Sequence, residues 1–177
     1  MFSYGWLLHK MPSIWVVLIF VSVFSACRTL PLQDPPVKTI VLVRHAEKVD
    51  ESKDAALSEA GLARAERLQK MLSSISFDAA YTTPYQRTRN TIKKIAEDRL
   101  LSTQEYSPDT LWLFSQRIIK APETRIIISG HSNTTPELIN HWLGREVYPP
   151  IEHTEYSQVY LITLRDEKVL SHVVLHY

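Results

Sequence analysis

Two short runs of branched apolar residues constrain this chain more than anything else in it. Residues 39–43 read TIVLV and residues 125–129 read RIIIS. Neither run alternates between apolar and polar positions. A strand with one wet face alternates, because successive side chains point to opposite faces. Unbroken β-branched runs instead suit strands buried on both faces, as in a parallel sheet covered by helices. Between them in the chain, residues 78–81 (DAAY) read as another short strand, so that TIVLV, DAAY and RIIIS are first, second and third.

Helices fit between these strands. Ser58 caps a helix running to about residue 73, with Leu62, Ala65, Leu68 and Leu72 on one stripe. Pro84 opens a helix to about residue 98, where its missing donor costs nothing. Pro108 opens another through Leu111, Leu113 and Ile118, and Thr135-Pro136 opens one that reaches Leu143. Gly144 stops the last of these. Residues 156–164 and 168–175 read as two late strands, a hairpin across Arg165-Asp166-Glu167. Strands alternating with helices predict an α/β chain, a three-layer α/β/α sandwich on a mostly parallel central sheet.

The start of the chain reads as an address. Residues 14–26 form an apolar run of about thirteen residues, IWVVLIFVSVFSA, preceded by Lys10. A spanning helix needs roughly 20 residues, a signal-peptide core about 7–15. Cys27, the only cysteine, follows the small pair Ser25-Ala26. The F-S-A-C ending resembles a bacterial lipobox, although Phe24 stands where leucine is usual. It implies cleavage before Cys27 and lipidation of that residue. An ordinary secretory signal or an uncleaved anchor is the alternative, and translation starts at Met1 or Met11. Pro31, Pro35 and Pro36 mark residues 27–38 as an extended tether. The expected organisation is thus a signal over 1–26, a tether over 27–38 and one domain over 39–177. The chain has 177 residues, so the last part is long enough to bury a core. Net charge is +1, from 20 basic and 19 acidic side chains, which gives no basic surface for nucleic acid.

Three predicted strand ends carry the chemistry. Arg44-His45-Ala46-Glu47 follows the first strand, Thr82 to Arg87 the second, and Gly130-His131-Ser132-Asn133 the third. In open α/β sheets ligands sit beyond the carboxyl ends of the strands. Two arginines and two histidines are thereby expected on one sheet edge. Arginine is a planar fork of donors matched to phosphate oxygens. A histidine held neutral at one nitrogen is a nucleophile toward phosphorus.

VLVRHAEK, LSEAGLARAERL, TTPYQRTR and IISGHSNTTPEL, in that order, resemble the histidine phosphatase superfamily in its phosphoglycerate-mutase-like branch. The resemblance covers about residues 39–177, and residues 155–160 (EYSQVY) resemble a terminal strand of its small bacterial members. It implies that His45 becomes phosphorylated, that Arg44 and Arg87 bind phosphate, and that His131 contacts the phosphoryl group. It also implies a phosphate contact for Asn133, which alternatively caps the helix after it. It implies hydrolysis of a phosphomonoester or phosphoramidate on a small molecule or phosphoprotein, with no metal and no cofactor. Mutase-like relatives carry a glutamate acid in an insertion that is short here; Glu105 and Asp109 are the carboxylates available there. The alternatives are a phosphoryl-transferring mutase and a non-catalytic anion-binding lipoprotein. Together with the address, the resemblance implies a lipid-anchored bacterial envelope protein facing the periplasm.

Other candidates have plainer readings. Glu47 orients Arg44 or His45, bonds Lys48, or shuttles a proton, and an orienting role is favoured. His172 and His176 share a strand face, but a zinc site needs a third ligand. Trp112, Leu113 and Phe114 read as core or rim.

Overall fold

The computed structural model describes residues 35–177. The expected signal over 1–26, Cys27 and the tether up to residue 34 lie outside the described residues. The element order is β1 (Lys38–Arg44), α1 (Glu59–Met71), β2 (Ala79–Thr82), α2 (Gln86–Glu97), β3 (Thr103–Glu105), α3 (Leu111–Lys120), β4 (Arg125–Gly130), α4 (Thr134–Leu143), β5 (Gln158–Arg165) and β6 (Lys168–His176). One sheet runs β3-β2-β4-β1-β5-β6. Its first four strands are mutually parallel. β5 is antiparallel to β1, and β6 to β5.

The three-layer expectation holds, for the reason the runs gave. Ile40, Val41, Leu42 and Val43 all have 0% exposed surface. Ile40 and Leu42 face Phe114, Ile118, Leu138 and Ile139 of α3 and α4. Val41 and Val43 face Leu68, Ile92 and Ile95 of α1 and α2. Burial of each such side chain contributes about 1.5–3 kcal/mol. β5 and β6 join through Asp166 and Glu167, both at positive φ (49° and 64°), the two central positions of a type I′ hairpin turn.

Several local expectations need correcting. Lys38 is the first residue of β1, not the end of the tether. Its buried Nζ donates to Ala121 O at 2.6 Å and Glu123 O at 2.8 Å. Ser58 does cap α1, accepting from Gly61 N at 3.1 Å. Leu62, however, is 52% exposed, while Gly61 and Leu68 are buried. α1 presses its glycine rather than Leu62 against the 45–48 loop: a Cβ at Gly61 would lie 2.3 Å from Glu47 O. Pro84 precedes the helix instead of opening it, because Tyr85 is the N-cap of α2. Pro108 opens a single 3-10 turn (Pro108–Thr110) ahead of α3. β3 was not expected, since its three residues are exposed and polar. Gly144 ends α4 in the left-handed conformation, φ 66°. Among the described residues no helix is long and apolar enough to cross a membrane.

Candidate active site

The neighbouring parallel strands β2, β4 and β1 end level with one another. Arg44 pairs with Gly130, and Thr82 with Ser129. The residues just past these ends are therefore His45, Thr83 and His131. Gly130 is required where β4 turns toward α4. A Cβ there would meet Tyr106 Oη at 2.8 Å and Thr135 Oγ1 at 2.9 Å. The Thr134 hydroxyl accepts from His131 N at 3.0 Å and fixes the turn.

The imidazoles of His45 and His131 meet edge to face, centroids 5.4 Å apart. His45 is 5% exposed. Its Nδ1 lies 2.8 Å from Ala46 O. A carbonyl only accepts, so Nδ1 carries the proton and Nε2 keeps its lone pair. Burial depresses its pKa to about 3, against the opposing bond to Ala46 O; the surrounding positive charge adds to the depression. The pKa of His131 falls to about 4, again chiefly through burial, then through Arg87 and Arg44. Both guanidiniums thus act on both imidazoles, and the four side chains form one cluster.

Each arginine is held by backbone carbonyls and an aromatic ring. Arg44 Nη1 donates to Glu152 O at 2.8 Å, His153 O at 3.1 Å and Glu155 O at 2.7 Å. Its Cζ lies 4.0 Å from the Tyr156 ring centroid. Arg87 Nη1 donates to Lys53 O at 2.8 Å, and its Cζ lies 4.4 Å from the Tyr85 centroid. Tyr85 also packs on His131, and Tyr156 near His45, at 5.3 and 6.2 Å. Neither arginine meets a carboxylate among the described residues. The Nε of both is buried without a hydrogen-bond partner. Buried donors are normally satisfied, so this pair of forks suits an anion.

The remaining candidates separate from the cluster. Glu47 neither orients Arg44 or His45 nor bonds Lys48; both its oxygens take bonds from Arg64, at 2.7–2.9 Å. Lys48 pairs with Glu51 instead. Glu105 ends β3 and pairs with Arg89 at 2.6 Å. β3 lies three strand spacings from β1, about 14 Å. Asp109 sits in the exposed 3-10 turn, its amide bonded to Ser107 Oγ. Asn133 is exposed and makes no capping bond. It borders a cleft of about 650 Å³ between α4 and residues 144–150, shared with Glu137, Asn140 and Arg145. His172 Nδ1 meets Tyr148 Oη at 2.6 Å and His176 Nδ1 meets Ser157 Oγ at 3.0 Å, so they do not form a pair. Among the described residues no three His, Cys, Asp or Glu side chains could hold a metal ion. Trp112 and Leu113 are exposed and Phe114 is core.

Two histidines and two arginines, at the carboxyl edge of a parallel sheet sandwiched by helices, make an α/β site suited to an oxyanion. Residues 40–107 match the family model of the histidine phosphatase superfamily (branch 1). No curated protein sequence matches the chain. Solved structures with the same fold include the alpha-ribazole phosphatase from Shigella flexneri, 14% identical with TM-score 0.65, covering 78% of this chain and 96% of that one. The protein histidine phosphatase SixA, complexed with tungstate, is 13% identical with TM-score 0.64, over 78% of this chain and 96% of that one. The mycobacterial glucosyl-3-phosphoglycerate phosphatase is 10% identical with TM-score 0.61, over 80% and 99%.

Proposed function

We propose that this chain is a phosphatase that works through a phosphohistidine on His45. The observation that carries the reading is the state of that ring. It is buried and neutral, with Nδ1–H bonded to Ala46 O and the Nε2 lone pair free, beside two arginine forks. In the first step Nε2 attacks phosphorus, an N–P bond forms and the bond to the leaving group breaks. Arg44, Arg87 and His131 face the charge on the phosphoryl oxygens. In the second step water attacks phosphorus and loses a proton to solvent, the N–P bond breaks and its electrons return to Nε2, and inorganic phosphate leaves. The chain's own residues supply this charge, so activity is expected to survive a chelator.

The favoured substrates are those whose leaving group needs no carboxylic acid. Glu47 is neutralised by Arg64 and Glu105 by Arg89. An alkoxide leaves well only when an acid protonates it. The nitrogen of a phosphoramidate takes its proton from solvent before the bond breaks, which suits a phosphohistidine-bearing protein or a small phosphoramidate. The likeness to a protein histidine phosphatase agrees with this. Hydrolysis is favoured over transfer to a second hydroxyl because residues 98–110 are spent on β3 and one 3-10 turn, which gives little lid.

The test compares a phosphoramidate with an alkyl phosphate at equal concentration. Faster release of phosphate from the phosphoramidate is expected, with His45→Ala inactive yet folded. Full activity in His45→Ala would end the phosphohistidine reading. The proposal extends to place: the chain is exported and anchored in the bacterial envelope through a lipid on Cys27, facing the periplasm. Cys27→Ser should then move the protein from the membrane fraction to the soluble one, and mass spectrometry of the wild type should find a lipid on Cys27.

A further inference from the structure

Resting on that reading, we infer that two buried threonines of α2, Thr88 and Thr91, set the tautomers of both site histidines and are positioning residues for the reaction. Thr88 is 0% exposed and Thr91 2%. They stand three residues apart on one helix face, one and four residues past Arg87. β-Branched hydroxyl residues are mediocre helix formers, and an apolar residue would fill the same space. Each hydroxyl instead has a specific task.

Thr91 Oγ1 donates to Arg87 O at 2.7 Å and accepts from Ala46 N at 2.9 Å. Ala46 is wholly buried, so its amide has no water to turn to. The same residue's carbonyl receives the Nδ1 proton of His45. Thr91 therefore anchors, through its amide, the residue whose carbonyl decides which nitrogen of His45 is bare.

The second connection follows from counting protons. Thr88 Oγ1 lies 2.9 Å from both Thr83 O and Tyr85 O, and carbonyls only accept. Its one hydrogen goes to them. The 3.0 Å contact between the two hydroxyls is then a donation from Thr83 to Thr88. With its hydrogen committed, Thr83 Oγ1 accepts at 2.9 Å from His131, whose Nε2 must carry the proton. His131 is left with Nδ1 as its second nitrogen. A phosphoryl dianion at that position gives Nδ1 a reason to take up a proton and become a donor. One helix face thus orders the nucleophile, its partner ring and the phosphate-binding Arg87.

Long-range proton–nitrogen correlation spectra of the isotope-labelled full-length protein in detergent micelles test this at pH 7. The wild type should show His45 protonated at Nδ1 and His131 at Nε2. Thr88→Val frees the Thr83 hydroxyl to donate to His131, so the His131 proton should move to Nδ1. Thr91→Val should leave His45 as a mixture of tautomers. Turnover of a small phosphoramidate should fall roughly ten- to hundredfold, the range for lost supporting hydrogen bonds, in kcat more than in KM. Serine at either position should restore both the tautomer and the rate. Opposite tautomers in the wild type overturn the inference, even if a valine variant fails to fold. So do tautomers unmoved in both valine variants. Tautomers that shift as stated in a protein without turnover support the threonine assignment and remove the phosphatase reading alone.

Discussion

A histidine that attacks phosphorus must be bare at one nitrogen when the phosphate arrives. A solvated imidazole with pKa near 6.5 is about a quarter protonated at pH 7, so burial changes little in the free protein at that pH. Its effect comes later. A bound dianion pulls imidazole pKa values upward, and a ring that starts at about 3 stays neutral through that rise. The same depression has a stability consequence. His45 and His131 bind protons more weakly folded than unfolded, so their contribution is intact above about pH 6.5 and is lost as pH falls toward 4 and 3. Urea midpoints at pH 7, 5 and 4 should therefore drop more steeply for the wild type than for His45→Gln; equal slopes contradict the buried neutral ring. Arg87→Lys keeps the charge but loses the fork. It should lower kcat/KM by about a hundredfold, as for loss of an oxyanion donor, with unchanged melting temperature. That Arg44, His45, Arg87 and His131 would cluster was readable in the sequence, because each stands at or shortly after the end of a strand placed from sequence. Tyr85, Tyr156, Thr88 and Thr91 were not. Their roles depend on which face of α2 meets the 45–46 peptide and where residues 152–156 return, and no local pattern encodes that.

Among the elements, α1 decides how firmly the 45–48 loop is seated. Alanine in a helix interior normally gains about 1 kcal/mol over glycine. At Gly61 the added methyl would stand 2.3 Å from the backbone oxygen of Glu47. Backbone cannot swing aside as a side chain does, and overpacking costs roughly 1–3 kcal/mol. Gly61→Ala is therefore expected to destabilise the protein and slow turnover together, read from a urea denaturation curve and a rate. A gain in stability would mean that helix and loop are not in contact. Glu47 belongs to the same joint. Its bond to Arg64 ties loop to helix, so Glu47→Gln should cost about 1 kcal/mol and slow kcat less than tenfold; a hundredfold loss would restore it as a proton shuttle. The strands buried on both faces were legible, because burial itself imposes their unbroken apolar runs. β3 was not, since TQE carries no apolar residue and is a strand only through its pairing with β2. The seat of α1 was misread for a related reason. An amphipathic count favours Leu62, while packing against a backbone favours the glycine beside it.

In the whole molecule the layer order was legible, but the closure of the site was not. Residues far apart in sequence hold the two arginines: carbonyls of residues 152–155 for Arg44, and Lys53 O for Arg87. An anion bridging the two forks would link β1, α2 and the 152–155 segment in a single contact. Any ligand that binds only the folded state stabilises it by RT ln(1 + [L]/Kd), about 2.7 kcal/mol at a hundred times Kd. For a domain of this size that is a rise of roughly 5–10 °C in melting temperature. Tungstate or inorganic phosphate should produce such a rise in the wild type. His45→Ala should keep most of it, because in the proposed mechanism His45 attacks phosphorus while the arginines hold the oxygens. Arg87→Ala should lose most of it. Arg145→Ala, in the 650 Å³ cleft beside α4, is the control for an anion bound elsewhere. If the rise survives Arg87→Ala and disappears with Arg145→Ala, the anion sits in that cleft, and the arginine pair has no claim to the phosphoryl group.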